Sequence, residues 1–571
     1  MAKVIILGGG VAGMSAAQEL AERGFEVEVY EKHKHYAGGK ARSTNVKTTD
    51  EKVPGKFLPG EHGFRFFPGF YKHITDTMGR IPFVNADGSK STVVDNLVST
   101  DRVRLARNGK PSIITIVNFP HSLADLEALL ASIHSNTGLT EEEKKFFALR
   151  IWQLATSCYD RRANDYERLS WWKYLEADRF SDNYRGLLVQ GITRTLVAAN
   201  AKYASTKTGG DIFLQLLFNI ANPSVHTDRV LDGPTNDVFI NPWLAYLESL
   251  GVKYHRHTVV TELKFENGNI SGAVIVQEDG SSLTVTGDYY ILATPVEKAA
   301  GLLNADILKA DPTLEGIKKL APSVAWMNGV QYYLNKEVDI IRGHCIYSDS
   351  PWALTSISQL QFWNNYDIAD RGNGKVKTIL SVDVSDWEAP GIGNSKPAND
   401  CNRTELKIQI WEQLKLALNV EGNTVITDDM IEFWHIDGDI KPEARAQDED
   451  AEPLLVNTIN SWDLRPEAYT FIPNLFLASD YVRTYTDLAT MEGSNEAARR
   501  AVNAILNASN SSASQCEIWN LHEPLLLAPF RNHDQKRYDK GLPWQLYEPW
   551  WLKIILAIIN FFRKLFGHKK R

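Results

Sequence analysis

The opening residues switch between two hydrophobic periods. Val4-Ile5-Ile6-Leu7 is a short apolar run, 11–23 carries apolar positions at three- and four-residue spacing, and 26–30 is a second short run. Strand, helix and strand in that order predict a βαβ unit, and the first run is too short, and too soon followed by glycines, for a secretory leader. From about 123 to 217 the period becomes helical, clearest at 146–154 and 184–199, which predicts an inserted helical layer. Ser205-Thr206-Lys207-Thr208-Gly209-Gly210 predicts a break in that layer, and Asp232-Gly233-Pro234 a turn before a helix at about 242–250.

Strands are predicted again at 253–265 and 270–277, hinged by Glu266-Asn267-Gly268, and at 282–293. The stretch 323–385 also favours strands, and 389–400, rich in Gly, Pro and Asn, predicts a surface loop ahead of a helix at 404–416. A last folded helix is expected at 492–506, then a Ser/Asn-rich linker at 507–515.

Composition narrows the function classes. A chain of 571 residues exceeds one ordinary core, and 43% hydrophobic with 23% charged residues marks a folded globular protein. The net charge of −8 argues against nucleic acid as a partner, because neutralising phosphates needs a basic footprint. Cys158, Cys345, Cys401 and Cys516 are scattered, without metal-site or disulfide spacing, so a reducing compartment is expected and no metal. Fifteen Trp and 23 Phe suit either a pocket for a long apolar ligand or an ordinary core.

Three stretches carry chemistry. Gly8-Gly9-Gly10-Val11-Ala12-Gly13 sits between the first strand and its helix. Gly8 permits the tight turn, Gly10 lets the backbone approach a pyrophosphate, and Gly13 lets helix pack on strand. The N–H groups at Val11 and Ala12 then face the phosphates with the positive end of the helix dipole. Glu31, with Lys32 beside it, ends the second strand, where a carboxylate accepts ribose hydroxyls and disfavours a 2′-phosphate; FAD or NAD is expected over NADP. The second stretch, Pro473 to Asp480, brings a strand to the Asp480 carboxylate, suited to ribityl hydroxyls. A helix opening at Met491 and Glu492 turns its dipole toward a flavin. The third pairs Val259 with the strand ending Leu292-Ala293-Thr294-Pro295.

Gly38-Gly39-Lys40-Ala41-Arg42 resembles the GG(R/K)-x-(R/S/T) segment of the FAD-dependent amine oxidase and carotenoid desaturase superfamily. Leu477-Ala478-Ser479-Asp480 with Met491-Glu492-Gly493 resembles that superfamily's C-terminal motif, with Ser479 for the usual Gly and Asn495-Glu496 where Ser-Gly is common. Leu231-Asp232-Gly233-Pro234 resembles a segment of the plant- and cyanobacterial-type phytoene and ζ-carotene desaturases. The resemblance runs over about 1–506 and is dense only at these motifs. It implies FAD, with Lys40 and Arg42 beside the diphosphate and flavin, the Val259 backbone against the adenine, and Ala293 in the wall behind the cofactor.

The implied fold is mixed α/β: a Rossmann-like FAD-binding domain of the glutathione-reductase type with an interleaved substrate domain and a C-terminal amphipathic helix. FAD-binding parts are expected at 1–85, 231–310 and 466–508, a helical substrate- or membrane-facing region at 86–230, substrate-domain strands and helices at 311–465, and an appendage at 509–571. The loop Gly60 to Tyr71 falls where family members pass the flavin ring. It supplies His62 as a proton acceptor, a flavin neighbour or a structural turn histidine, and Arg65 as a holder of a flavin carbonyl or substrate oxygen, or a surface ion pair.

The expected function is an FAD-dependent, desaturase-like oxidoreductase passing a hydride from a long polyene or isoprenoid lipid to flavin N5. A redox-neutral isomerase of carotenoids or polyunsaturated fatty acids and an amine oxidase are the alternatives. Near the C-terminus, Trp550 to Phe566 is broadly apolar, with a narrow polar stripe at Lys553, Asn560 and Lys564 and a basic end at Lys569-Lys570-Arg571. An in-plane helix on the cytoplasmic side of a membrane is expected, peripheral or monotopic, with a membrane quinone as electron acceptor. No signal of oligomeric state is legible.

Overall fold

The computed structural model describes residues 2–48, 50–63, 65–120, 125, 132, 137–191, 200–364, 366–393, 395–438, 440 and 452–549. A five-stranded parallel sheet orders Lys253–His255, Glu26–Tyr30, Lys3–Leu7, Tyr289–Leu292 and Leu475–Leu477 side by side. Val4, Ile5, Ile6 and Leu7 are fully buried. Parallel strands are covered on both faces, which is why this one is a continuous apolar run rather than an alternating one. Helix Val11–Ala21 returns along the sheet and packs on helix Met491–Ala508, where Asn495 Nδ2 donates to Ser15 Oγ at 2.8 Å.

The strands predicted at 253–265 and 282–293 each divide between two sheets. Residues 253–255 and 289–292 join the parallel sheet, whereas Val259–Glu266, Asn269–Val276 and Ser282–Val285 form a separate antiparallel meander. His257, at φ +55, turns the chain between them. The predicted hinge closes through Asn267 (φ +52) and Gly268 (φ +79), the left-handed pair a two-residue hairpin requires.

A seven-stranded sheet orders Ile431–His435, Asn328–Leu334, Thr378–Val384, Leu354–Ser358, Gly343–Tyr347, Arg102–Arg107 and Lys110–Ile116. All its pairings are antiparallel except Gly343–Tyr347 with Arg102–Arg107. The region expected to be helical over 86–230 therefore begins with strands, two of which extend the sheet of the 311–465 region. Asn108 and Gly109 (φ +63) make the turn that pairs them.

The expected break at Ser205 to Gly210 is instead the first part of helix Thr206–Ile220. Glycines survive there because a Cβ on Gly210 would lie 2.5 Å from Leu154 Cδ2, so the helix approaches Glu141–Thr156 more closely than a larger residue allows. Lys207 Nζ pairs with Asp487 Oδ2 at 2.9 Å, both side chains buried, and Thr208 Oγ1 donates to the same oxygen. Tertiary contacts override a poor helical sequence.

Beyond Ala508 the chain folds back onto the earlier layers. Trp519 N–H donates to His73 Nε2 at 2.9 Å, and the buried Asp534 carboxylate accepts from Cys158 N–H at 2.9 Å and Arg161 Nε at 3.0 Å. Substituting Asp534→Ala removes the buried partner of Arg161 and leaves it the exposed Asp165, a break of the kind that costs up to about 3–5 kcal/mol for a buried pair. Limited proteolysis should then cut within 509–549 well before the rest of the chain, whereas the wild type should resist there. The segment Trp550 to Phe566, expected to lie on a membrane, falls outside the described residues. Among the described residues no helix is long and apolar enough to cross a membrane.

Candidate active site

At the carboxyl ends of the parallel strands opens a cavity of about 1040 Å³. This is where open α/β sheets bind ligands, and the volume lies at the upper end of ordinary ligand pockets. Gly8, at φ +113, lets the first strand turn, and a Cβ there would meet Ala293 O at 2.7 Å. A Cβ on Gly13 would lie 1.9 Å from Gly8 O, whereas one on Gly10 would meet nothing nearer than Gly39 Cα at 3.8 Å. Gly13 therefore serves packing, and Gly10 faces the cavity. No side chain caps the helix that starts at Val11, so its first N–H groups are left for an anion.

Glu31 lines the cavity with its carboxylate fixed, Oε2 accepting Gly9 N–H at 2.7 Å and Oε1 accepting His33 N–H at 2.8 Å. Lys32 lines it too and reaches Glu452 at 3.2 Å. Gly38 (φ +87) and Gly39 (φ +57) carry the second glycine turn against the first, and Lys40 on the wall donates to Pro453 O. Arg42 sits apart from its neighbours. Its guanidinium is buried beneath the wall, Nη1 on Glu452 Oε2 at 2.8 Å and Nη2 on Asp437 at 3.2 Å, and it is not among the lining residues.

Val259, Ala293, Asp480 and Met491 line the cavity with Val11 and Ala12. Arg465 Nη1 donates to Asp480 O at 2.5 Å and holds that turn in place. Glu492 points elsewhere: its carboxylate accepts N–H groups of Lys72, His73 and Ile74 and pairs with His73 Nδ1 at 2.7 Å, so it caps the short helix His73–Gly79.

On another part of the wall His62 Nδ1 lies 3.1 Å from Asp437 Oδ2, and its buried Nε2 has no hydrogen-bond partner among the described residues. Burial draws the imidazole below the usual histidine range, against the opposing pull of Asp437. Arg65 lines the cavity and donates to Lys40 O at 2.9 Å and Arg42 O at 3.2 Å. Burial pushes the Asp383 carboxyl up to about 7, with Arg65 and His344 opposing. Glu61, which accepts Thr235 N–H and Oγ1–H, is likewise pushed up to about 7 by burial.

Sequence reasoning missed Asp383, Asp437, Glu452, Asn457 and Trp326 at or behind this wall. Asp383 had a readable signal, an acid inside the buried run Thr378–Val384. The lining fits FAD: two facing glycine turns, an uncapped helix N-terminus, a fixed carboxylate at Glu31, and buried Thr294 Oγ1 and Asn457 Oδ1 without partners among the described residues.

Comparison with known proteins follows the same lines. A family model described as flavin containing amine oxidoreductase matches residues 11–506. A ζ-carotene desaturase of Synechocystis sp. is 24% identical over 310 residues, 53% of this chain and 59% of that protein, so the match spans under two thirds of that relative. Cyclohexylamine oxidase from Brevibacterium oxydans superposes with a TM-score of 0.60 at 12% identity, covering 89% of this chain and 99% of that one. An oxidoreductase from Methanosarcina mazei gives 0.57 at 15% identity, covering 88% and 100%. At these identities the structures share the fold.

Proposed function

The chain belongs to the flavin containing amine oxidoreductase family and is an FAD-dependent oxidoreductase; we propose that its substrate is a long hydrophobic polyene or isoprenoid lipid, from which it removes two hydrogens. The observation that carries this reading is the apolar share of the cavity lining, to which Phe66, Tyr71, Trp326, Met327, Leu454 and Leu455 contribute. An ammonium substrate would meet Arg65 there, and the nearby Asp383 carboxyl is pushed up to about 7, a weak counter-charge at neutral pH. The desaturase-like relative supports the same substrate class.

When bound, the flavin supplies the hydride acceptor. The glycine turns and Glu31 would hold its nucleotide end and Asp480 its ribityl chain, and the apolar lining would keep water from the reacting carbons. Leu525 and Leu526, 88% and 72% exposed on the extension that leads to Trp550, support membrane contact, and a membrane quinone is the natural electron acceptor for such an enzyme.

Anaerobic mixing of the purified enzyme with a polyene lipid in liposomes should bleach the flavin stoichiometrically. Product formation without net bleaching would mean isomerisation, the second reading. Bleaching by a short aliphatic amine, with hydrogen peroxide released on admitting air and no reaction with lipid, would replace the lipid reading with an amine oxidase.

A further inference from the structure

We propose that His62 and Asp437 form a proton-accepting pair, in which His62 Nε2 takes the proton released from the substrate and Asp437 is the positioning residue behind it. This rests on the dehydrogenation reading above. Three observations support the pair. His62 and Asp437 are 6% and 4% exposed, with Nδ1 and Oδ2 3.1 Å apart. The Nε2 atom is buried without a partner among the described residues, on a residue that lines the cavity. Both partners are anchored: Asn328 Nδ2 donates to His62 O at 3.0 Å, and Arg403 Nη1 to Asp437 O at 3.3 Å.

The charges around the ring set its tautomer. Arg42 Nη2 donates to both Asp437 oxygens at 3.2 Å, a charge-assisted contact on the carboxylate that faces the ring. A carboxylate at this distance accepts a proton-bearing Nδ1 and leaves the Nε2 lone pair unprotonated, on a ring that belongs to the cavity lining. Glu452 favours the protonated ring and Arg42 opposes it, while burial keeps the ring neutral until a proton arrives. Arg65 and Asp383 share the cavity wall.

The balance is complete with the flavin as oxidant. With FAD bound, one carbon would give up a hydride with its electron pair, and the flavin would be the oxidant that accepts it. The C–H bond on the adjacent carbon breaks, its electron pair becomes the new C=C bond, and its proton bonds to His62 Nε2. The imidazolium so formed faces the Asp437 carboxylate and releases its proton to water after the product leaves. A quinone would then take two electrons and a proton from the reduced flavin and a second proton from water, becoming a quinol, so that two hydrogens leave the substrate in all.

Two measurements test the pair. In the flavin-loaded protein without substrate, nitrogen-15 NMR of labelled histidine, assigned by the signal lost in His62→Gln, should show the Nδ1–H tautomer of a neutral ring at pH 7. Asp437→Asn should erase that tautomer preference. An Nε2–H tautomer or an imidazolium in the wild type overturns the proposal, whatever the substrate. In anaerobic reduction by polyene lipid, His62→Gln that retains its flavin spectrum should be slower by about 10²–10⁴-fold, the usual worth of a positioned base, and lose the acid limb of the pH profile. Asp437→Asn should move that limb. Wild-type reduction rates in His62→Gln overturn the proposal; failure of any lipid to bleach the wild-type flavin overturns the substrate reading instead, leaving the NMR result to judge the pair.

Discussion

Gly13→Val should leave the protein essentially without flavin. A Cβ at this position falls 1.9 Å from Gly8 O and 3.3 Å from Ile6 Cγ2, and the first of these is backbone that no rotamer change relieves. Gly8 itself is held by its N–H bond to Tyr30 O at 2.9 Å. The helix must therefore lift from the sheet, at a cost typical of overpacking, about 1–3 kcal/mol, carrying its uncapped N–H groups away from the phosphate position. Gly10→Ala separates the two effects. Its Cβ has only Gly39 Cα within 4 Å, at 3.8 Å, so the apoprotein should melt as the wild type does while flavin affinity falls by at least about tenfold, or about 1.4 kcal/mol. The ratio of flavin to protein absorbance after gel filtration, with melting curves of both apoproteins, checks the pair. Full flavin occupancy in Gly13→Val would remove the glycine turn from the cofactor site.

Arg42→Ala should cost about 3–5 kcal/mol of stability, the usual range for breaking a buried ion pair. It removes the guanidinium shared by two buried carboxylates, Asp437 and Glu452, leaving Glu452 the partly exposed Lys32 and Asp437 the neutral His62. Burial pushes the Glu452 carboxyl up, but Arg42 and then Lys32 outweigh it and hold the group at about 2, below its ordinary 4.5. A depressed carboxyl contributes stability that is complete above about pH 4.5 and is lost as pH falls toward 2. Glu452→Gln should therefore flatten that part of the acid limb of the melting profile. In Arg42→Ala the deficit should be deepest at neutral pH and shrink toward pH 4, as the stranded acids take up protons. A deficit independent of pH would mean that lost packing, not charge, carries the effect.

What was legible in the sequence was local. The first glycine turn, Glu31 and the strand leading to Asp480 announce themselves within a few residues, because backbone geometry dictates them. The hairpin around Asn108-Gly109 had its turn signal too, but Arg102, Arg104 and Arg107 dilute the apolar alternation of its first strand. The helix through Gly209 and Gly210 was hidden because its support comes from Leu154 and Asp487, far away in the chain. Arg42 reads as a cofactor ligand until its partners are seen, 395 and 410 positions downstream. No local pattern encodes such a pairing, and the same distance conceals Asp437 behind His62.

The edge strand Leu475–Leu477 has a consequence for synthesis. The wall bearing Asp480 is missing until that strand docks beside Tyr289–Leu292, so the cofactor's cradle is incomplete for most of the time the chain is being made. At roughly 5–20 residues per second this leaves apolar strands without their last neighbour for tens of seconds. Flavin supply should then govern yield more than folding of the early segments does, since only a chain extended past Asp480 has a place for the cofactor to hold it together.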